Sequence, residues 1–65
     1  MTEEEFWGAL RGAGITPTRR VGPRQWVGMN RDREIIPIPD PNGLTPEQRQ
    51  AAYEMLNLNY GSTCH

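Results

Sequence analysis

Sixty-five residues of 7.4 kDa, 35% of them apolar, provide for at most one small domain around one small core. A chain this short buries only roughly 60% of its unfolded surface, which disfavours a large substrate pocket and the cofactors that fill one. Seven arginines, no lysine and eight carboxylates give a net charge of −1, and the pI near 5.7 lies far below the value of about 9 that marks a dedicated nucleic-acid-binding domain.

Thr2 followed three residues later by Glu5 is a capping box, and Glu3 and Glu4 fall in the first turn, where the helix dipole favours anions. A first helix is predicted from Glu3. Phe6, Ala9, Leu10 and Ala13 repeat at helical spacing, and Gly14 stands where a left-handed residue ends a helix, so the helix stops near Ala13. Gly8 and Gly12 lie on another strip of it, each at a cost of about 1 kcal/mol relative to alanine, which implies close backbone approach or a loosely held helix.

From Ile15 onward β-branched and aromatic residues alternate with turn signals. Ile15 to Val21 reads as a strand interrupted by Pro17, Gly22-Pro23 as a turn and Arg24 to Met29 as a second strand. Asn30-Arg31-Asp32-Arg33 reads as a polar hairpin tip and Glu34 to Ile38 as a third strand. Pro37 and Pro39 cannot donate to a ladder, so that third strand belongs at an edge. On a purely structural reading Trp26 is the main core aromatic under the two helices, and which of Trp7 and Trp26 is buried stays open.

Asp40-Pro41-Asn42-Gly43 is a turn, and Thr45-Pro46-Glu47-Gln48 is a second capping box with proline at the first helical position. The helix it opens carries Ala51, Ala52, Met55 and Leu56 as an apolar stripe with Tyr53 beside it, and ends around Leu58-Asn59. The predicted fold class is α+β in the order α-β-β-β-α, a three-stranded antiparallel sheet with two helices packed on one face. One domain spans residues 1–65, with a core of 3–58 and a C-terminal tail of 59–65.

No run of eighteen apolar residues exists to span a membrane, and the opening Met1-Thr2-Glu3-Glu4-Glu5 is acidic where a secretory signal is basic; a cytoplasmic monomer is expected. Cys64 has no second cysteine to pair with, and Cys64 beside His65 offers two adjacent soft ligands, too few for a structural zinc site. No metal, no cofactor and no catalytic residue is assigned. The single histidine is the last residue, so no imidazole is placed as a general base. Neither Glu34 with Asp40 nor Glu3 with Glu5 forms a recognisable acid and base pair, and Tyr53 and Tyr60 read as packing residues.

Several features together resemble the HicA-type small toxins. These are the short first helix ending in Gly14, a hairpin turn beginning Val21-Gly22, the strand end Ile36-Pro37-Ile38-Pro39, and Leu44-Thr45 leading into a last helix. The similarity covers roughly residues 3–58 and rests on the order and spacing of these motifs. It implies a miniature version of the double-stranded-RNA-binding fold. It would also imply RNA cleavage through a histidine that follows Gly-Ser at the start of the second strand, but here that place reads Gly22-Pro23-Arg24, so the nuclease activity does not carry over.

Charge order separates two functional readings. Residues 1–10, 11–33 and 34–65 carry −3, +5 and −3. Under the first reading, Glu3, Glu4, Asp40, Glu47 and Glu54 line a surface formed by side-by-side helices and imitate a phosphate backbone, occupying a nucleic-acid groove on a host protein or ribonucleoprotein effector complex. The character is then similar to that of small phage-encoded anti-CRISPR inhibitors, non-catalytic proteins that block a defence complex. The plainer account is that these carboxylates stabilise helix N-termini by about 0.3 to 1 kcal/mol each. Under the second reading, Arg19, Arg20 and Arg24 with Trp26, aided by Arg31 and Arg33, grip nucleic acid by phosphate contact and stacking, as a HicA-like RNA-binding protein without the histidine would. The plainer account there is a core tryptophan, salt-bridged arginines, and the arginine-rich codon use of a GC-rich genome.

Overall fold

The computed structural model describes residues 1–61; Cys64 and His65 lie outside them. Helix α1 spans Glu3–Gly12 and helix α2 spans Pro46–Tyr60, and each begins at its predicted capping box. The hydroxyl of Thr2 accepts from the Glu5 N–H while the Glu5 carboxylate accepts from the Thr2 N–H, and Thr45 and Gln48 repeat the exchange. At the far end of α1, Gly14 adopts φ 84°. The N–H groups of Gly14 and Ile15 then donate back to the carbonyls of Arg11 and Leu10, the Schellman arrangement, with Ile15 and Leu10 both fully buried beside it.

Three antiparallel strands follow in spatial order: β1 (Thr16–Gly22), β2 (Gln25–Met29) and β3 (Ile35–Pro39). Pro17 and the Gly22-Pro23 turn interrupt the first ladder, whose register shifts between Pro17 and Arg19 and again between Arg20 and Gly22. The prolines of β3 confine it to an edge, as expected. In the β2–β3 loop the side-chain oxygen of Asn30 accepts from the N–H groups of Asp32 and Glu34, both at 3.0 Å. That grip holds Arg33 in the left-handed region at φ 63°, a conformation that costs a residue with a Cβ about 1 kcal/mol or more. A short 3-10 turn over Pro41–Gly43, capped by Asp40, leads from β3 to α2.

Register decides which side chains meet the helices. Trp26 lies opposite Ile38, and Gly28 opposite Ile36. Ile36 and Ile38 are buried with Phe6, Leu10 and Ala13 around α1, Ile15, and Leu56 of α2, so both helices cover one face of the sheet and leave the other open.

Three expectations are revised. Phe6, with no exposed surface, is the central aromatic; Trp26 is half-buried, its ring edge-on to Trp7 at 5.3 Å, because Phe6 and Ile38 already fill the space under α1. Gly8 and Gly12 have nothing within 4 Å of where a Cβ would stand, whereas a Cβ on Gly28 would lie 2.6 Å from Ile38 Cδ1 and 2.8 Å from the Thr16 carbonyl oxygen. The glycine required for close approach is therefore in β2, not in α1. Helix α2 also runs through Asn59 to Tyr60, past the predicted end, and Tyr60 packs on the core together with Met1.

Candidate functional site

Two long-range hydrogen-bonded joints align the helices. Near its start, α2 turns Arg49 inward, where Nε donates to the Pro41 carbonyl at 2.8 Å and Nη1 to the Met1 carbonyl at 3.2 Å. At its end the Tyr60 carbonyl accepts from Asn30 Nδ2 at 3.2 Å, next to Met29, which pairs with Thr16 just beyond α1. Both helices therefore run in the same direction, with their N-termini at one pole of the molecule.

This arrangement brings together part of the predicted acidic set. Glu3 and Glu4 of α1 and Glu47 of α2 lie in first turns at the same pole, exposed and with no partner among the described residues. Glu5 in the same turn is committed to the capping box, and the hydrogen bond from the Thr2 N–H holds its carboxyl below the ordinary glutamate value. Glu54 lies seven residues along α2 from Glu47, about 10 Å further at helical rise, and accepts from Gln50. Asp40 does not contribute to an open acidic surface. Its side chain is 11% exposed, accepts from the Asn42 N–H and pairs with Arg20 Nη2 at 3.1 Å.

The arginine and tryptophan set is divided between the two faces of the sheet. Arg19 faces Val27 and Arg20 faces Trp26, and because neighbours on a strand point to opposite sides, Trp26 shares the helix side with Arg20 and not with Arg19. Besides Asp40, Arg20 donates to the carbonyls of Gly22 and Pro23, so its guanidinium braces the β1–β2 turn against the end of β3. Arg24 is in that turn, exposed, and its carbonyl accepts from the Asp40 N–H. Arg19 and Arg24 have no side-chain partner among the described residues, but no aromatic ring stands beside them to complete a stacking site.

Asn30 and Arg49 organise the molecule, although the sequence reading places Asn30 only in a hairpin tip and gives Arg49 no role. For Asn30 a local signal existed: an asparagine that begins a turn and bonds the backbone two residues on. Nothing local marked Arg49, whose partners are 8 and 48 residues away.

Between the outer edge of β3 and α2 runs an apolar groove of about 280 Å³ lined by Pro37, Pro39, Ala52, Met55, Leu56 and Tyr60, with Asn59 its polar member. Among the described residues no three His, Cys, Asp or Glu side chains converge to hold a metal ion, no buried side-chain polar atom lacks a hydrogen-bond partner, and no helix is long and apolar enough to cross a membrane. The chemistry available at these surfaces is recognition through charge at the shared helix pole and apolar contact in the groove. No known protein family, curated protein or solved structure matches the chain.

Proposed function

We propose that the chain is a non-catalytic inhibitor that acts by binding a protein. Its acidic helix pole would occupy the basic nucleic-acid groove of a host protein or ribonucleoprotein effector complex, in the manner of a phage-encoded anti-CRISPR protein. One observation supports this reading: the Arg49–Met1 joint, which holds the start of α2 against the start of the chain and so leaves the exposed, unpaired Glu3, Glu4 and Glu47 at the same end of the two helices. Exposed carboxylates at the start of two adjoining helices suit a mimic of spaced phosphates, since attraction to a basic groove speeds encounter and sets register without a pocket. The RNA-binding alternative loses support, because Arg20 is committed to Asp40 and two carbonyls and Arg19 points away from Trp26.

The test is affinity capture from host lysate with and without nuclease, comparing the wild-type chain with Glu4→Lys/Glu47→Lys. A stoichiometric nucleic-acid-handling partner that survives nuclease, is lost with the double variant and weakens with salt supports the proposal. Recovery of RNA, with proteins released by nuclease, rejects it in favour of the RNA-binding reading. A partner retained equally by the variant rejects the acidic pole as the contact.

A further inference from the structure

Both edges of the sheet are blunted against a further strand. Pro17 in β1 and Pro37 and Pro39 in β3 supply no N–H to a ladder, and two register shifts break β1. A partner is therefore met by the open face of the sheet, through side chains. Residues paired across strands point to the same side. Arg19, Val27 and Pro37 accordingly form one row of that face and Met29 and Ile35 lie in the next, on the side away from Trp26, Ile36 and Ile38. Ile35 is 67% and Met29 37% exposed, so apolar side chains of two strands stand together in solvent. No strand residue of this face is a carboxylate. Arg19 is exposed on it, and Arg24 stands in the turn at one end.

The outward side of α2 is the complementary surface. Arg49, Ala52, Tyr53 and Leu56 turn toward the body of the molecule, so at helical spacing Glu47, Ala51, Glu54 and Leu58 form the opposite ridge. All four are exposed, Leu58 by 83%. The ridge is about 16 Å long at helical rise, close to the length of about 13 Å of β2 and β3.

Charge selects among the ways in which two copies could pair. Two sheet faces together would oppose their arginines, and two α2 ridges would oppose Glu47 and Glu54 of each copy. Ridge on face joins opposite charges and lays Ala51 and Leu58 over Val27, Met29 and Ile35. It also adds a helix layer to the side of the sheet that has none, as α1 does on the other.

We propose that the outward ridge of α2 in one copy docks on the open sheet face of a second copy. The two halves of this contact differ, so it runs head to tail and either propagates or closes into a ring. A three-stranded face about 14 Å wide and 13 Å long falls well short of the roughly 800 Å² per partner of a stable interface. The chain is therefore a monomer when dilute and associates when concentrated. This contact goes beyond the inhibitor reading, leaves Glu3 and Glu4 of α1 exposed, and shares only Glu47 with the acidic pole.

The test is dilution of the ¹⁵N-labelled full chain at low salt, from about 1 mM to about 20 µM, a range that brackets weak association. Two sets of amides should shift with concentration, residues 25–29 and 35–39 in the sheet and 47–58 in α2, and added salt should reduce both. Ile35→Lys and Leu58→Lys should each weaken self-association about tenfold. Both positions are exposed, and thermal unfolding verifies that the variants fold; the wild-type dilution stands without them. Ile35→Lys keeps its ridge and Leu58→Lys keeps its face, so a mixture of the two should form a one-to-one complex that neither forms alone. Glu4→Lys should leave association unchanged. The proposal is overturned by shifts that do not depend on concentration, or by shifts in one set alone, which mark a symmetric contact. It is also overturned by a mixture that associates no better than its components, or by loss of association in Glu4→Lys, which would make the acidic pole the contact.

Discussion

Helix α1 uses ten residues to bury Phe6 and Leu10 completely, whereas α2, with fifteen, buries only Leu56 and leaves Met55 and Leu58 in the open. Both start from a full capping box, so the difference does not lie in how well each helix is nucleated. It lies in placement: α1 contributes the centre of the core, while α2 packs beside α1 along the proline edge of β3, with Leu56, Ala52, Tyr53 and Tyr60 against the core and Arg49 and Asn30 bonding near its ends. In a small domain one helix can supply most of the core while another, packed beside it and joined by polar contacts at its ends, keeps apolar surface free for contact.

The largest effect that would break this comparison is Phe6→Ala. Removing a fully buried phenylalanine costs about 3–5 kcal/mol, as much as the whole stability of many domains this size, roughly 3–10 kcal/mol. Chemical denaturation should show loss of a cooperative transition, whereas Met55→Ala should stay within about 0.5 kcal/mol of wild type. Equal effects from the two would reverse the roles assigned to the helices.

Asn30→Ala should come next, at about 2–3 kcal/mol. Asn30 is 9% exposed, and its side chain serves two loop N–H groups, the Glu34 carboxylate and the Tyr60 carbonyl. Hydrogen exchange should be faster in residues 31–34 and in the last turn of α2, with α1 little changed. Uniform loosening of both helices would show that the joint is not specific to α2.

The glycines sharpen the comparison with opposite signs. Gly28→Ala drives a Cβ into Ile38 and the Thr16 carbonyl and should destabilise by about 1–3 kcal/mol. Gly8→Ala, on an open strip of α1, should stabilise by about 1 kcal/mol. Thermal unfolding of the pair checks both signs, and a stabilising Gly28→Ala would contradict the sheet register. Removing a cap is a comparable change, since Thr45→Ala should cost about 1 kcal/mol and fray the first turn of α2.

The smallest expected effect is on pH dependence. Glu5 ionises below its ordinary value of 4.5 in the folded state because its carboxylate accepts the Thr2 N–H. Its contribution to stability is therefore full above the unfolded value and is lost as pH falls through the lower folded one. Glu5→Gln keeps an acceptor for the cap but removes the titration, so the acid limb of its stability curve should be shallower than that of wild type. Superimposable acid limbs would remove Glu5 from this account.

Sequence reading located the helices, the strand order and the edge position of β3. Each rests on a local rule: capping boxes at Thr2 and Thr45, a left-handed glycine at 14, prolines at 37 and 39. It recognises the acidic helix starts but adds Asp40, in the turn before α2, to the same surface, since nothing within a few residues of Asp40 shows that Arg20 reaches it from two strands away. The arginine and tryptophan set failed similarly as a single surface, because strand register, invisible in a linear chain, separates Arg19 from Trp26.

What the sequence by itself determined is the set of features whose partners lie within about one turn of chain, where hydrogen-bond geometry and allowed φ leave few choices. Tertiary structure alone decided that Gly28 must lack a side chain, that Asn30 and Arg49 hold α2, and that the two helix N-termini share a pole. Each of these depends on which distant residues meet. That is set by the one packing that buries Phe6, Leu10, Ile15, Ile36 and Ile38 together, a property of the whole chain that no short segment encodes.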